Sequence, residues 1–201
     1  MYIPHHYRNE DLEEVRDFIR VHAFAILVNQ VDGQPWASHI PLELERNESG
    51  EQVLAGHLAR ANPQWKSFSE DTEVLAIFHG PHSYVSSSWY EKEEVPTWNY
   101  IAVHVYGRIS LMEETRLWRS LKNLVDRYEK ESEQPISLDH LSEKTLRQIK
   151  GIVGFEISID KIQAAYKLSQ GREEDHSRII QELEKMQNEG SRYIAREIKK
   201  G

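Results

Sequence analysis

Residues 100–111 read YIAVHVYGRISL, and this stretch decides the fold class. Ile101, Val103 and Val105 alternate with a second set of residues that includes His104 and Tyr106. A period of two is typical of a β-strand that packs one face on a core. The stretch therefore predicts a long strand of the kind found in antiparallel sheets.

The sequence on either side predicts further strands joined by turns. They cover residues 23–31, 36–45, 52–59 and 73–79, and a last strand follows at 151–159. Asp32-Gly33 is a strong signal for a two-residue hairpin turn, because both turn positions need a positive φ. Gly80-Pro81 is expected to end the fourth strand, since proline donates no hydrogen bond to a sheet.

Helical patterns flank this strand-rich region. A helix over Glu10–Val21 is predicted with Asn9 as its cap, and helical segments follow at about 113–150 and 174–190. The charged tail, 191–201, is expected to fray. Strands before helices, without βαβ alternation, predict an α+β protein that is mainly antiparallel β. The whole chain is expected to be one domain, an antiparallel sheet or barrel with the C-terminal helical part packed on or beside it.

The composition argues against several classes of protein. The chain has no cysteine, and no apolar run approaches the ~18 residues that a membrane span needs. Net charge is −8 and the pI is near 5.7, which argues against a non-specific nucleic-acid binder. Residues 113–133 carry five basic and six acidic side chains, so this helix presents no DNA-reading face. A cytoplasmic protein without a membrane segment is the simplest expectation.

Residues 56–66, GHLARANPQWK, supply the first candidate binding residues. Arg60 follows a predicted strand, and Asn62-Pro63 has the pattern of a helix start with Asn as cap. Backbone N–H groups at a helix start and a guanidinium fork both suit phosphate oxygens. Arg60 is therefore a candidate phosphate ligand; the alternative is a surface arginine that makes no specific contact.

Aromatic and polar side chains supply the other candidates. Trp65, Trp89 and Trp98 offer faces for stacking on a planar ligand, although core packing is the commoner fate of one tryptophan. Ser86-Ser87-Ser88 lacks the nucleophile-elbow pattern and is expected to satisfy turn backbone or contact a ligand. KLSQGR at 167–172 is either a helix-entry loop, a second anion contact or a flap over the pocket. The ten histidines include no short metal-ligand spacing, so no metal site is predicted.

Five motifs carry a resemblance to a known family. They are MYIP at 1–4, HLARANP at 57–63, GPHSYVS at 80–86, VPTWNY at 95–100 and KLSQ at 167–170. Together they span nearly the whole chain. Their combination resembles the PaiB-type family of FMN-binding negative transcriptional regulators, which is linked to control of protease synthesis and sporulation in bacilli.

The resemblance implies an FMN-binding split β-barrel with flanking helices, related to that of pyridoxamine-phosphate oxidases. It also implies a homodimer with its flavin sites at the subunit interface. By analogy, the residues near FMN would be His57, Arg60, Ala61, Asn62, Trp65, Lys66, Tyr84, Ser86, Trp89, Trp98, Lys167 and Gln170. Arg60 is the expected phosphate ligand, and Lys167 and Gln170 would close the site.

Three functions are open from the sequence. The first is an FMN-binding regulator that affects protease synthesis and sporulation, either directly on DNA or indirectly. The second is a flavin-dependent oxidoreductase of the pyridoxamine-phosphate-oxidase-like class, for which no substrate-specific base or nucleophile stands out. The third is a dimeric scaffold that has lost the cofactor. The resemblance favours the first.

Overall fold

A computed structural model describes residues 1–200, which contain an eight-stranded sheet. The strands are β1 (Arg8–Asn9), β2 (Phe24–Val31), β3 (Gln34–Pro41), β4 (Glu43–Arg46), β5 (Gln52–Ala59), β6 (Glu73–Val85), β7 (Thr97–Leu111) and β8 (Ile152–Lys167). Their order is β3-β2-β6-β7-β8-β5-β4, with β1 beside β8. β2 pairs antiparallel with β3 and β6, β5 with β4 and β8, and β1 with β8. The predicted class, α+β and mainly antiparallel, is confirmed, and the sheet is open.

Helices accompany the sheet. Within residues 1–200 the α-helices are α1 (Leu12–Val21), α2 (Glu114–Tyr128), α3 (Glu143–Leu146), α4 (His176–Lys185) and α5 (Glu189–Ile198). Short 3₁₀ turns occupy His5–Tyr7, Pro63–Ser67, Ser87–Trp89, Glu129–Glu131, Leu138–His140, Arg147–Gly151 and Glu173–Asp175. None of the helices in this part of the chain is long and apolar enough to cross a membrane.

Residue contacts divide the chain into two compact units that alternate along the sequence. The terminal unit contains Met1–Phe18, Phe78–His104 and the chain from Gln163 onward. The central unit contains Ile19–Ile77 and Val105–Ile162. β6, β7 and β8 each contribute residues to both units. Each unit is described by itself below.

The central unit has a core of aliphatic side chains and phenylalanine rings. Leu27, Leu42, Leu54 and Phe155 are fully buried. The Phe68 ring meets the Phe155 ring edge-on, with their centroids 5.4 Å apart. These residues come from strands, from the junction of β3 and β4 and from the segment after β5, so burying them fixes the position of the strand ends that carry candidate site residues.

Two local predictions in the central unit are confirmed. β2 and β3 pair in register up to the predicted turn, where Asp32 and Gly33 have φ of 52° and 77°. After β5, the Asn62 side chain accepts a hydrogen bond from Gln64 N, and Pro63 occupies the first helical position. The helix that follows is a five-residue 3₁₀ turn.

The prediction that Gly80-Pro81 ends a strand is wrong, because β6 runs on to Val85. A Cβ on Gly80 would lie 2.5 Å from Phe18 Cζ, so only glycine lets the strand pass this close to the Phe18 ring. Exposed and buried residues alternate along the strand, but the alternation is displaced by one residue across this pair. As a result His79 and His82, which are three residues apart, are both exposed. Gly80-Pro81 is therefore an irregularity within the strand.

Two helix predictions also need correction. Asp11, rather than Asn9, caps α1, because its Oδ1 accepts from the backbone N–H groups two and three residues on, at 2.9 and 3.1 Å. Within the predicted helical region of about 113–150, residues 137–150 are expected to form a second helical segment, but they are not one helix. The side chains of Ser137 and Ser142 each cap a separate short helical turn, so the segment is divided rather than continuous.

The terminal unit has its own core, to which the C-terminal helices contribute most. Val85, Ile179, Leu183, Ile194 and Ile198 form a buried cluster. The tail that was expected to fray is helical in α5 as far as Ile198. Side chains of α4 and β6 cover the apolar face of α5, and this burial stabilises the helix.

Candidate functional site

Arg60 and Trp65 form a corner, here called the Arg60 corner, where β5 ends beside the start of β8. Arg60 N donates to Gly151 O at 2.8 Å, Nε to Lys150 O at 3.0 Å, and Nη2 to Ile152 O at 3.0 Å. Trp65 Nε1 donates to Arg60 O at 2.9 Å, and the guanidinium carbon lies 5.8 Å from the Trp65 ring centroid. These contacts fix the guanidinium while leaving the residue exposed.

The donors of the Arg60 corner fit a phosphate. A guanidinium has five N–H donors; Arg60 uses two of them on backbone carbonyls, so three remain. The exposed Lys66 lies on the 3₁₀ turn that follows. Within residues 1–200, neither cation pairs with a carboxylate. Asn62 supports this geometry, since it caps the turn and donates to Ser38 Oγ at 2.9 Å.

A cavity of about 530 Å³ opens beside the Arg60 corner. Arg60, Trp65, Glu114 and Lys150 line it together with apolar side chains. This volume is within the range of small-molecule sites, roughly 300–1,000 Å³. A cation and an indole beside a largely apolar wall suit a ligand with a flat body and an anionic tail.

A second cavity, of about 600 Å³, shares lining residues with the first. Glu114, Ile149 and Lys150 line both, and Trp118 and Leu146 belong to the second alone. The central unit thus has room for a ligand larger than a phosphate.

His57 lies on β5, in register with Gly154 of β8. Burial lowers the pKa of its imidazole below the ordinary value. The ring is therefore neutral at pH 7, with one nitrogen that donates and one that accepts. Ala61, between Arg60 and Asn62, is exposed and offers only backbone groups.

Four aromatic rings of the terminal unit form a row, here called the ring row. Ring centroids are 5.1 Å apart for His79 and His82, 5.7 Å for His82 and Trp98, and 5.8 Å for Tyr84 and Trp98. Trp98 is 53% exposed and Tyr84 is 41% exposed. Of these four rings, only those of Tyr84 and Trp98 belong to predicted flavin-binding residues. The irregularity at Gly80-Pro81 places His79 and His82 on the same face. The sequence did not indicate this arrangement, because the pair was predicted to end the strand.

The KLSQ loop also lies in the terminal unit, and its two candidate residues have different contacts. Lys167 Nζ donates to Thr97 Oγ1 and lies 5.6 Å from the Tyr7 ring centroid. The Gln170 amide accepts from Leu168 N at 2.8 Å and donates to the carbonyl of residue 166 at 2.7 Å. Gln170 thus closes its own loop, whereas Lys167 keeps donors available. Sequence reasoning missed Thr97 and Tyr7, which are distant in the chain.

Ser86 and Trp89 have structural contacts. The Ser86 side chain caps the 3₁₀ turn by accepting from Ser88 N at 3.2 Å. Trp89 packs against the core of α4 and α5. Throughout residues 1–200 no group of three or more His, Asp or Glu side chains is arranged to hold a metal ion.

The twelve predicted residues fall into two groups. His57, Arg60, Ala61, Asn62, Trp65 and Lys66 lie in the central unit, and Tyr84, Ser86, Trp89, Trp98, Lys167 and Gln170 lie in the terminal unit. Within them, the structure brings Arg60 to Trp65 and Tyr84 to Trp98. The role of each of these residues toward a flavin stays a prediction.

Comparison with known proteins gives a relative of similar length and solved structures of similar fold. The "Protease synthase and sporulation protein PAI 2" of Bacillus subtilis (strain 168) is 42% identical over 197 residues, which are 97% of this chain and 95% of the relative. The flavocytochrome Anf3 of Azotobacter vinelandii has a TM-score of 0.65 at 18% identity, over 86% of this chain and 76% of its own. The FAD and heme binding protein of Mycobacterium smegmatis has a TM-score of 0.62 at 16% identity, over 80% and 73%.

These likenesses confirm the predicted fold, that of the flavin-binding split barrels. The family described as "Putative FMN-binding domain" matches residues 1–161, which include the Arg60 corner and the ring row. The chain therefore belongs to this family of FMN-binding domains and, within it, to the PaiB-type proteins.

Proposed function

We propose that the protein binds FMN, with the phosphate at the Arg60 corner. The observation that carries this proposal is the guanidinium of Arg60, which is fixed by two carbonyls and an indole and retains three donors beside a cavity. Arg60 and Lys66 would hold the phosphate, and neutral His57 would offer a hydrogen bond. Bound FMN would supply electron transfer, which none of the twenty side chains provides as readily. FMN is preferred to FAD on the family description.

The test is a visible absorption spectrum of the purified protein, before and after FMN is added and free flavin is removed. Arg60→Ala is expected to weaken FMN binding by roughly 10- to 100-fold, because a hydrogen-bonded charge pair is lost. Arg192→Ala, at an exposed arginine of α5, is the matched control and is expected to bind like the wild type. Equal affinities of Arg60→Ala and Arg192→Ala would contradict the phosphate assignment.

We infer that the biological role is negative regulation of gene expression affecting protease synthesis and sporulation. The name of the Bacillus subtilis relative, at 42% identity over 97% of this chain, supports a part in protease synthesis and sporulation. Negative regulation follows from the resemblance to the PaiB-type family. The net charge of −8 and the nearly balanced charges of residues 113–133 favour an indirect mechanism through a partner or metabolite.

Two measurements test the regulatory role and its mechanism. Deleting the gene is expected to raise secreted protease activity, and the wild-type gene, but not Arg60→Ala, is expected to restore repression. Gel shifts at about 150 mM salt are expected to show no sequence-specific DNA complex, since the chain carries a net charge of −8. A specific complex would favour direct repression instead.

Flavin-dependent oxidoreduction is a second candidate, supported by the exposed ring row. Tyr84, Trp98 and His82 present ring faces to which a planar substrate or cofactor could stack. Mixing the flavin-loaded protein with NADH or NADPH without oxygen tests this role. Loss of flavin absorbance within seconds to minutes would support it, and an unchanged spectrum across a panel of reductants would argue against it.

A further inference from the structure

A further cavity of the central unit is lined by residues of α2 and β4, and arginines are its commonest charged residues. Its volume is about 430 Å³, within the roughly 300–1,000 Å³ of small-molecule sites. The charged residues that line this cavity, here called the arginine cavity, are Glu43, Glu45, Arg46, Arg116, Arg119 and Arg127. None of its lining residues lines the cavity beside the Arg60 corner, although α2 contributes to both. The arginine cavity is therefore a separate place in the same unit.

The spacing of residues along α2 explains why its arginines meet in one cavity. Four polar residues follow one another at steps of three and four residues, which keep them on one side of the helix: Arg116, Arg119, Asn123 and Arg127. The whole segment 113–133 carries nearly balanced charge. This face of α2 nevertheless gathers cations, and β4 adds Arg46 to them.

The two glutamates of the cavity already use all four of their carboxylate oxygens. Glu43 Oε1 accepts from Tyr128 Oη at 2.9 Å, and its Oε2 accepts from Arg127 Nη1. Glu45 Oε2 accepts from Arg116 Nη1 at 2.7 Å, and its Oε1 accepts from a serine hydroxyl of α2 at 3.3 Å. Both side chains are at least nine-tenths buried. The glutamates therefore belong to the wall of the cavity, and a cationic ligand would find their oxygens occupied.

Donors, by contrast, are in excess in the arginine cavity. Within residues 1–200, Arg119 makes no hydrogen bond or ion pair, and Arg46 donates only to Gly50 O, at 2.6 Å. Arg116 Nη2 has no hydrogen-bond partner in this part of the chain, although the side chain is 6% exposed. On its other side, Arg116 Nε lies 3.4 Å from Glu156 Oε2, which lines a neighbouring cavity. A buried donor without a partner is destabilising and calls for an acceptor.

We propose that the arginine cavity binds a small dianionic ligand, either a phosphate group or a dicarboxylate. Arg46 and Arg119 carry the two charges that no carboxylate of residues 1–200 offsets, and an oxyanion with two negative charges would neutralise both. Guanidinium groups suit such ligands, because their N–H donors bind carboxylate and phosphate oxygens in pairs. Arg116 Nη2 would gain the acceptor that it lacks. This site is additional to the proposed FMN site and does not depend on it.

The first experiment follows thermal unfolding of the full chain in increasing inorganic phosphate or succinate, with sodium chloride adjusted to keep the ionic strength constant. A bound dianion is expected to raise the unfolding temperature by about 3–6 °C at about ten times its dissociation constant. A response to both dianions, to phosphate alone or to succinate alone identifies the ligand as any dianion, a phosphoryl compound or a dicarboxylate. Equal unfolding temperatures in dianion and in chloride would overturn the proposal.

The second experiment repeats these titrations with variants of the exposed arginines. Arg119→Gln and Arg46→Gln are each expected to raise the dianion concentration at half-maximal response by about 10-fold, because charged hydrogen bonds are lost. Both residues are exposed, so both variants are expected to fold. Arg108→Gln makes the same change in net charge at an exposed residue of β7 outside the cavity, and it is expected to respond like the wild type. A wild-type response from Arg119→Gln would overturn the proposal.

Arg60→Ala distinguishes this site from the phosphate site proposed at the Arg60 corner. If the arginine cavity binds the dianion, Arg60→Ala retains a response that Arg119→Gln loses. The reverse pattern would overturn this inference and leave the proposed FMN site in place. A dianion response that depends on Arg119, in a protein that binds no FMN, would overturn the proposed function and support this site.

Discussion

Gly107 lies where the backbone of β7 passes close to β8. A Cβ on this glycine would lie 1.8 Å from Ser158 O and 2.8 Å from Ile157 Cγ2. We expect Gly107→Ala to lower the free energy of unfolding by about 3 kcal/mol, because the two strands must separate to admit the methyl group. Urea unfolding measures the change. Gly151→Ala is the control, since its Cβ would meet no atom within 4 Å. Equal stabilities of the two variants would contradict the close approach.

His57 is the residue whose burial should make stability depend on pH. In the unfolded chain its imidazole takes up a proton as pH falls through the ordinary pKa of 6.5, whereas in the folded chain burial keeps it neutral to lower pH. The free energy of unfolding is therefore unaffected above this pKa and falls as pH drops from about 7 to 5.

Urea unfolding at a series of pH values measures this effect. His57→Gln is expected to have a shallower decline than the wild type over that interval. Some decline remains, because burial also lowers the pKa values of His79 and His104. A slope unchanged by His57→Gln would contradict the burial of this imidazole.

At the scale of elements, α2 is held in the central unit by a buried ion pair. Arg116 Nη1 lies 2.7 Å from Glu45 Oε2, Arg116 Nε lies 3.4 Å from Glu156 Oε2, and the arginine side chain is 6% exposed. Arg116→Ala is expected to lower the free energy of unfolding by about 3–5 kcal/mol, because it leaves the Glu45 and Glu156 carboxylates without the cation that pairs with them. Chemical denaturation checks this.

The matched control is an ion pair on the surface of the same unit. Arg147 lies 3.9 Å from Glu143, with side chains 72% and 94% exposed. Arg147→Ala is expected to change stability by less than about 0.5 kcal/mol, because solvent screens such a pair. If both arginine variants lost the same stability, burial would not be the cause.

The elements that could be predicted from sequence are those whose signals are local. Alternation in β7 and the Asp32-Gly33 turn each depend on a few neighbouring residues, and both predictions are confirmed. α5 could not be predicted, because its burial depends on side chains of α4 and β6. The segment 137–150 has helical periodicity, but Ser137 and Ser142 compete with that pattern by capping new turns.

The candidate site divides in the same way. Arg60 and Trp65 are five residues apart, and a strand end followed by a capped turn predicts that they are close. Thr97 and Lys167 meet only because β7 and β8 are neighbours in the sheet, and nothing in either local sequence indicates the partner. The local sequence therefore indicates candidate residues, whereas the residues that contact them can be identified only from the fold.

At the scale of the whole molecule, the edge of the sheet at β3 supports a proposal that the protein is a homodimer. The strand reads QPWASHIP and contains no Lys, Arg, Asp or Glu. Trp36 is 37% exposed, and its neighbours Pro35 and Ala37 are exposed too. Natural edge strands usually carry charges, prolines or bulges that prevent backbone pairing, and Pro35 and Pro41 act against such pairing here. The exposed Trp36 on an uncharged strand is instead suited to side-chain packing against a second copy of the chain.

Trp36→Lys is expected to convert the proposed dimer to a monomer, because it places a charge where the partner's apolar edge would pack. Light scattering coupled to gel filtration measures the mass, and Val21→Lys, at another exposed apolar residue, is expected to leave the dimer intact. A wild-type monomer, or a Trp36→Lys dimer, would contradict this interface. If the flavin sites lie between subunits, the Trp36→Lys monomer also loses FMN. A monomer that binds FMN with wild-type affinity would place the whole site within one chain, because no partner would then supply any of its contacts.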